Sequence, residues 1–100
     1  MNLPTTVYTT FHCNYTNVGG NGLGTTNSTY GSGYHTYGVQ WIPGHLYWYV
    51  DGQLVFNFTS SCIPNKPAYI MANLAIGGSW PGPPTNMSLF PVTMDIDYIR

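Results

Sequence analysis

The stretch HLYWYVDGQLVFNF, residues 45–58, decides the fold. Two runs of aromatic and β-branched residues, which favour strands, flank the dipeptide Asp51-Gly52. Asp and Gly accept the positive φ angles that a two-residue type I′ turn requires. The stretch therefore predicts an antiparallel β-hairpin.

Strand patterns continue on both sides of this hairpin. Residues 5–12 are rich in threonine and aromatic residues, and residues 35–42 alternate with period two up to a Pro-Gly turn. AYIMANLAIGG, residues 68–78, is apolar on both faces and predicts a central strand, and residues 93–100 alternate again. At least six strands with no helical pattern predict an all-β fold, an antiparallel β-sandwich.

Residues 14–33 consist almost wholly of Asn, Gly, Thr and Ser, and this composition predicts a loop. The glycines at 19–24 resemble a phosphate loop only superficially, because neither a lysine nor a helix follows them. Strand-forming residues start shortly after Met1, and the last strand pattern runs up to Arg100. We therefore expect residues 1–100 to be part of a larger domain.

The amino-acid composition limits the kinds of molecule that this chain can bind. Charged residues make up 5% of the chain and aromatic residues 16%, so hydroxyls, amides and flat rings dominate the surface. Two cationic side chains cannot neutralise a nucleic-acid backbone, which excludes nucleic acid as a partner. No apolar run is long enough to span a membrane, and no signal-peptide pattern is present in residues 1–100.

Two features favour an oxidising compartment. Cys13 and Cys62 could close a loop of about 50 residues as a disulfide, with two reduced buried thiols as the alternative. Four Asn-x-Ser/Thr sequons are present, against roughly 1.6 expected by chance. The candidate glycosylated residues are Asn14, Asn27, Asn57 and Asn86. We expect a secreted, extracellular glycoprotein.

Three blocks of sequence carry a family resemblance. They are YHTYGVQWIPGHLYWYVDGQLV at residues 34–55, NLAIGGSWPGPP at 73–84 and FPVTMDIDYIR at 90–100. Their order and approximate spacing resemble the laminarinase-type enzymes of glycoside hydrolase family 16, endo-β-1,3-glucanases. The resemblance implies a β-jelly roll whose concave sheet forms a cleft for a β-1,3-linked or mixed-linked glucan. Residues 1–100 would be the C-terminal portion of that domain.

The family's chemistry needs two carboxyl groups that this sequence does not contain. Retaining glycosidases hold a nucleophile and an acid/base about 5 Å apart. In the family these are glutamates of a Glu-x-Asp-x-x-Glu strand, upstream of the segment that residues 5–12 resemble. The three acidic residues here are all aspartates: Asp51 is explained by its turn, and Asp95 and Asp97 by a polar outer face. We therefore expect no catalytic residue in these 100 residues.

The resemblance implies three residues that contact sugar. His12 corresponds to a cleft-facing histidine, with a solvated or core histidine as the alternative. The Asn73 amide either bonds a sugar hydroxyl or satisfies a neighbouring backbone group. Trp80, held between glycines and prolines, either stacks on a pyranose ring or fills the core beneath its loop. No cofactor is required, but the family often has a structural calcium, for which Asp97 matches one ligand.

Two functions follow from these expectations. In the first, the chain is the C-terminal half of a secreted β-glucan hydrolase domain, inactive alone because an N-terminal half supplies the glutamates. In the second, it is a non-catalytic carbohydrate-binding or structural β-sandwich that assembles through its sheet edges, since exposed strand edges invite pairing.

Overall fold

The computed structural model describes residues 5–13 and 16–100. The regular structure in these residues is almost entirely β. The elements are β1 (Thr6–Cys13), β2 (Thr16–Thr26), β3 (Tyr37–Ile42), β4 (His45–Val50), β5 (Gln53–Thr59) and one short 3₁₀ helix (Met87–Leu89). No helix in the described part of the chain is long and apolar enough to cross a membrane.

The hairpin predicted around Asp51-Gly52 is confirmed. Strands β4 and β5 pair antiparallel, with Val50 opposite Gln53 across a two-residue turn. Asp51 has φ 52° and Gly52 has φ 77°, the positive angles of a type I′ turn. Strand β3 pairs with the other edge of β4, which gives a three-stranded antiparallel sheet in the order β3-β4-β5.

The loop predicted for residues 14–33 is wrong over much of its length, because residues 16–26 form strand β2. The backbone of β2 pairs antiparallel with β1, and this ladder orders a segment whose side chains gave no strand signal. Gly24 shows why small residues fit here. A Cβ at this position would collide with Cγ2 of Thr6 and approach the Tyr8 ring at 3.1 Å, so a larger residue here would have to displace the Thr6 side chain.

The two sheets form part of an antiparallel β-sandwich. The rings of Phe11 on β1 and Phe58 on β5 lie 5.9 Å apart, and β2 contacts β5. Cys13 and Cys62 form a disulfide with a Cα–Cα distance of 6.3 Å, which confirms the predicted pairing. The most buried apolar side chains all belong to residues 5–67: Leu46, Val50 and Ile63.

Residues Ala68–Arg100 form a second compact unit, and there both strand predictions are wrong. Residues 68–78 and 93–100 have no strand assignment, although their composition favours strands. A β-strand exists only when its backbone pairs with another strand, and the described residues offer no such partner to either segment. Many large apolar side chains in this unit are consequently exposed, including Tyr69 at 83% and Ile70 at 70%.

Candidate functional site

The predicted sugar contacts divide between the two units. His12 lies on β1 and is exposed, while its neighbours Phe11 and Cys13 are half-buried. This difference follows from the alternation of side chains along a strand, since Phe11 and Cys13 face the other sheet. His12 is therefore open to solvent, as a ligand-binding side chain must be.

Trp80 stands at the tip of a tight turn in the second unit. The Gly82 amide donates to the Gly78 carbonyl at 3.0 Å and closes a five-residue turn around the tryptophan. Gly78 has φ 132°, a conformation that side-chain-bearing residues rarely adopt, and Pro81 would meet a Cβ there at 3.5 Å. The Trp80 side chain is 65% exposed, which does not fit the alternative of a residue that fills the core.

Asn73 lies in the same unit as Trp80, on the segment that leads into the turn. The asparagine is exposed, so its amide carries no burial cost that a neighbouring backbone group would have to offset. An exposed amide can bond sugar hydroxyls and an exposed indole can stack on a pyranose face, so the two side chains are of a kind suited to a sugar.

The three aspartates occupy separate settings. The carboxylate of Asp51 is bonded on both oxygens, to the His35 ring nitrogen Nδ1 at 2.8 Å and to the Thr36 amide at 3.0 Å. Asp95 and Asp97 are exposed on the C-terminal segment. Within the described residues no three His, Cys, Asp or Glu side chains are grouped to hold a metal, and the calcium expected at Asp97 stays a prediction.

The environment of His35 was not found by sequence reasoning, because its partners are distant in sequence or are backbone groups. Nδ1 faces the Asp51 carboxylate, and Nε2 lies 2.9 Å from both the Thr29 and Ser32 carbonyls. Carbonyl oxygens and an ionised carboxylate only accept, so these contacts suit the imidazolium form, in which both ring nitrogens donate. The Asp51 hydrogen bond is the main cause that raises the pKa of His35, and its reciprocal lowers the pKa of Asp51.

The sequons differ in local geometry. At Asn27 the side-chain oxygen accepts from the amide and hydroxyl of Thr29, at 3.0 and 2.8 Å, and Asn86 accepts from Ser88 in the same way. The third, Asn57, lies within β5, and its Thr59 hydroxyl bonds the His45 ring at 3.0 Å. Asn14 lies outside the described residues.

Comparisons with known proteins agree with this β architecture. The profile of glycosyl hydrolases family 16 matches residues 2–100. The chain is 38% identical over 85 residues to glucan endo-1,3-beta-glucosidase A1 of Niallia circulans, covering 72% of this chain and 12% of that protein. It is 34% identical over 97 residues to endo-1,3-1,4-beta-glycanase EglC of Rhizobium meliloti (strain 1021), covering 97% of this chain and 21% of that protein.

A third relative is the clotting factor G alpha subunit of Tachypleus tridentatus, 36% identical over 81 residues, or 74% of this chain and 12% of the subunit. No solved structure gives a significant match. The chain thus spans 12% to 21% of the length of these three relatives. The family profile nevertheless covers nearly every residue. The chain belongs to family 16 of the glycosyl hydrolases.

Proposed function

We propose that this chain is the C-terminal half of a secreted β-glucan hydrolase domain and contributes sugar-binding residues to its cleft. The observation that carries the proposal is the match to the hydrolase family over residues 2–100 in a sequence without a single glutamate. Similarity to glucanases of several bacteria supports β-glucan as the substrate class. The glutamate pair would come from residues outside this sequence.

Substrate binding in this proposal centres on Trp80. The ring stacks on a pyranose face and the Asn73 amide bonds sugar hydroxyls, while His12 on β1 is a separate proposed sugar contact. In Trp80→Ala, affinity for laminarin should fall about tenfold, a loss of about 1.4 kcal/mol. Leu89→Ala is the matched control, because Leu89 is 65% exposed like Trp80 and lies in the same unit. Equal affinity of both variants would contradict the role of Trp80.

Hydrolysis by the 100 residues alone is not expected. A retaining mechanism needs a second carboxyl group about 5 Å from the first. The Asp51 carboxylate is hydrogen-bonded to His35 and Thr36. Asp95 and Asp97 do not belong to a Glu-x-Asp-x-x-Glu motif. The test is reducing-sugar release from laminarin by the purified chain, compared with a chain extended upstream to include any in-frame Glu-x-Asp-x-x-Glu. Turnover by the 100 residues alone would refute the proposal.

Secretion and glycosylation are parts of the same proposal. The disulfide between Cys13 and Cys62 favours an oxidising compartment. Asn27 and Asn86 are the best-supported glycan sites, because each is exposed and already bonded to the hydroxyl of its own sequon. Mass spectrometry of peptides from the native secreted protein, with and without glycosidase treatment, tests them.

We propose that a structural calcium on Asp97 draws its other ligands from backbone oxygens, from neutral side-chain oxygens or from residues outside the described ones. Calcium titration of wild type and Asp97→Asn, followed by the melting temperature, decides this point. An equal response of both proteins rules out Asp97 as a ligand.

The alternative function, a non-catalytic module that assembles through its own surfaces, is favoured by one observation. Apolar side chains of the second unit are widely exposed, among them Met71 at 68%, Leu74 at 49% and Ile76 at 55%. Exposed apolar surface on this scale is normally covered by a partner. Sedimentation over a range of concentrations separates the two functions: self-association without any added segment supports the module, and a monomer supports the hydrolase half.

A further inference from the structure

The outer face of the three-stranded sheet carries a row of aromatic rings that the proposed cleft does not use. His45, Tyr47 and Tyr49 alternate along β4 with Leu46 and Val50, which are buried at 7% and 3% exposure. Alternation places the three rings together on the face opposite these buried residues. We name the rings and their cross-strand neighbours, Gln40, Asn57 and Thr59, the tyrosine face.

Contacts on the face hold the rings in position. His45 and Tyr47 stack with centroids 6.2 Å apart and planes inclined by 19°. His45 Nδ1 lies 3.0 Å from the Thr59 hydroxyl, and the Tyr49 hydroxyl donates to the Gln40 amide oxygen at 3.3 Å. A ligand that met this face would find the aromatic surface already ordered, which lowers the entropy cost of binding.

Amides border the row of rings on both sides. Gln40 lies opposite Tyr47 on β3, and Asn57 lies opposite Tyr47 on β5. Both amides are exposed, and each can donate and accept hydrogen bonds. Flat half-exposed rings between exposed amides match a sugar, whose ring faces are apolar and whose rim consists of hydroxyls.

The absence of Asp, Glu, Lys and Arg from the strands of the tyrosine face favours an uncharged ligand. Strands β3, β4 and β5 contain no Asp, Glu, Lys or Arg. A phosphate, a sulfated chain or an acidic peptide would therefore find no permanently cationic partner on these strands. A neutral ligand does not need a cationic partner.

We propose that the tyrosine face is a second saccharide-binding surface, which holds a neutral β-glucan chain on the sheet through His45, Tyr47 and Tyr49. The choice of β-glucan rests on the proposed function, whereas the existence of the surface rests on the sheet itself. Such a surface keeps a polymeric substrate attached while the cleft engages another part of it. Linked sites of this kind raise the effective affinity for a long chain more than for a short one.

The test follows backbone and ring resonances of the oxidised 100-residue chain, made without N-glycans so that Asn57 is unmodified, during titration with laminarihexaose. Resonances of Tyr47 and Tyr49 should shift on binding. The double variant Tyr47→Ala/Tyr49→Ala should bind insoluble β-1,3-glucan about tenfold more weakly, a loss of about 1.4 kcal/mol. Tyr34→Ala, at a tyrosine that is 73% exposed and off the sheet, is the matched control and should bind normally.

Tyr47→Phe/Tyr49→Phe keeps the rings and should retain most of the binding even if the alanine pair folds poorly. Shifts confined to the Trp80 turn would overturn the second surface and leave the proposed function intact. Shifts confined to the tyrosine face would support the surface and contradict the Trp80 cleft. If the tyrosine resonances move with protein concentration in the absence of sugar, the face is a protein interface and the proposal is wrong.

Discussion

Residues 5–67 and Ala68–Arg100 have similar strand-favouring compositions and different structures. The described residues of the first region form five strands in two sheets, closed by a disulfide. The second contains segments without regular secondary structure, one tight turn and a three-residue 3₁₀ helix. The difference teaches that apolar and β-branched residues make a segment able to form a strand, whereas a pairing edge decides whether it does so.

The largest effect is expected when the disulfide of the first region is removed. Cys13→Ser/Cys62→Ser opens a loop closed over a sequence separation of 49 residues. The chain-entropy relation predicts a loss of about 4 kcal/mol in the free energy of unfolding. Urea unfolding followed by near-ultraviolet circular dichroism measures it.

Adding reductant should reproduce the loss in wild type and change nothing in the double variant. If the stabilities of oxidised wild type and variant agree within error, the link contributes nothing and the sheets of the first region hold together by packing alone.

Truncating one isoleucine in each region compares the contribution of a buried and an exposed side chain to stability. Ile63 is 6% exposed in the first region and Ile70 is 70% exposed in the second. Ile63→Ala should destabilise the protein by about 3 kcal/mol, because it leaves a cavity in packed surroundings. Ile70→Ala should change stability by no more than about 0.5 kcal/mol. Equal losses in the two variants, measured by urea unfolding, would mean that Ile70 is covered in solution.

A third test weakens the pairing between β1 and β2 in the first region. In Gly24→Ala the added methyl group collides with Thr6, whose hydroxyl is bonded to Thr26 at 3.2 Å, so relief of the clash disturbs that bond. We expect a loss of about 1–2 kcal/mol and faster amide exchange in β2.

Gly38→Ala on β3 is the control for this strand effect, since its new Cβ would meet Tyr49 at an ordinary 3.9 Å. It should be neutral or slightly stabilising, because alanine restricts the unfolded chain. Equal exchange rates in β2 of wild type and Gly24→Ala would show that the close approach to Thr6 is not needed.

The smallest expected effect concerns the charge pair of His35 and Asp51, which joins the segment before β3 to the hairpin turn. Because the pKa of His35 is raised above its ordinary 6.5, its contribution to stability is present below that pH and is lost as pH rises through the folded-state value. The pKa of Asp51 is lowered from 3.8, so its contribution is present above that pH and is lost as pH falls through the folded-state value. The pair should stabilise most between pH 3.8 and 6.5.

Asp51→Asn is the variant of choice, because asparagine also tolerates the positive φ of this turn position. The pKa of His35, measured by NMR titration, should fall toward its ordinary value in the variant. The stability difference from wild type should shrink as the pH rises past the folded-state pKa of His35. An unchanged His35 pKa would show that the carboxylate is not its main partner.

Sequence reasoning succeeded where the information is local. The Asp51-Gly52 hairpin, β1, β3 and the family follow from turn chemistry, periodicity and three sequence blocks. It missed β2, because a strand made mostly of Asn, Gly and Thr carries no apolar pattern and is ordered by its pairing with β1. It also missed the ion pair between His35 and Asp51, since nothing in a separation of 16 residues signals that contact.

The exposed setting of Trp80 was predicted in part. Glycines and prolines around a tryptophan specify a tight turn from sequence alone, and the structure closes it between Gly78 and Gly82. Whether the ring faces solvent or fills a core depends on packing, and its 65% exposure is a tertiary property. The sugar contacts of His12, Asn73 and Trp80 remain predictions.

The β class, the hairpin, the absence of glutamate and the neutral, aromatic composition that suits sugars can all be read from the amino-acid sequence. Tertiary structure alone decided which strand-favouring segments became strands, that Cys13 meets Cys62, and that His45, Tyr47 and Tyr49 share an ordered face. The physical reason is the same in each case. Turns and side-chain alternation depend on neighbours in sequence, whereas ladders, disulfides and faces depend on which distant segments come together.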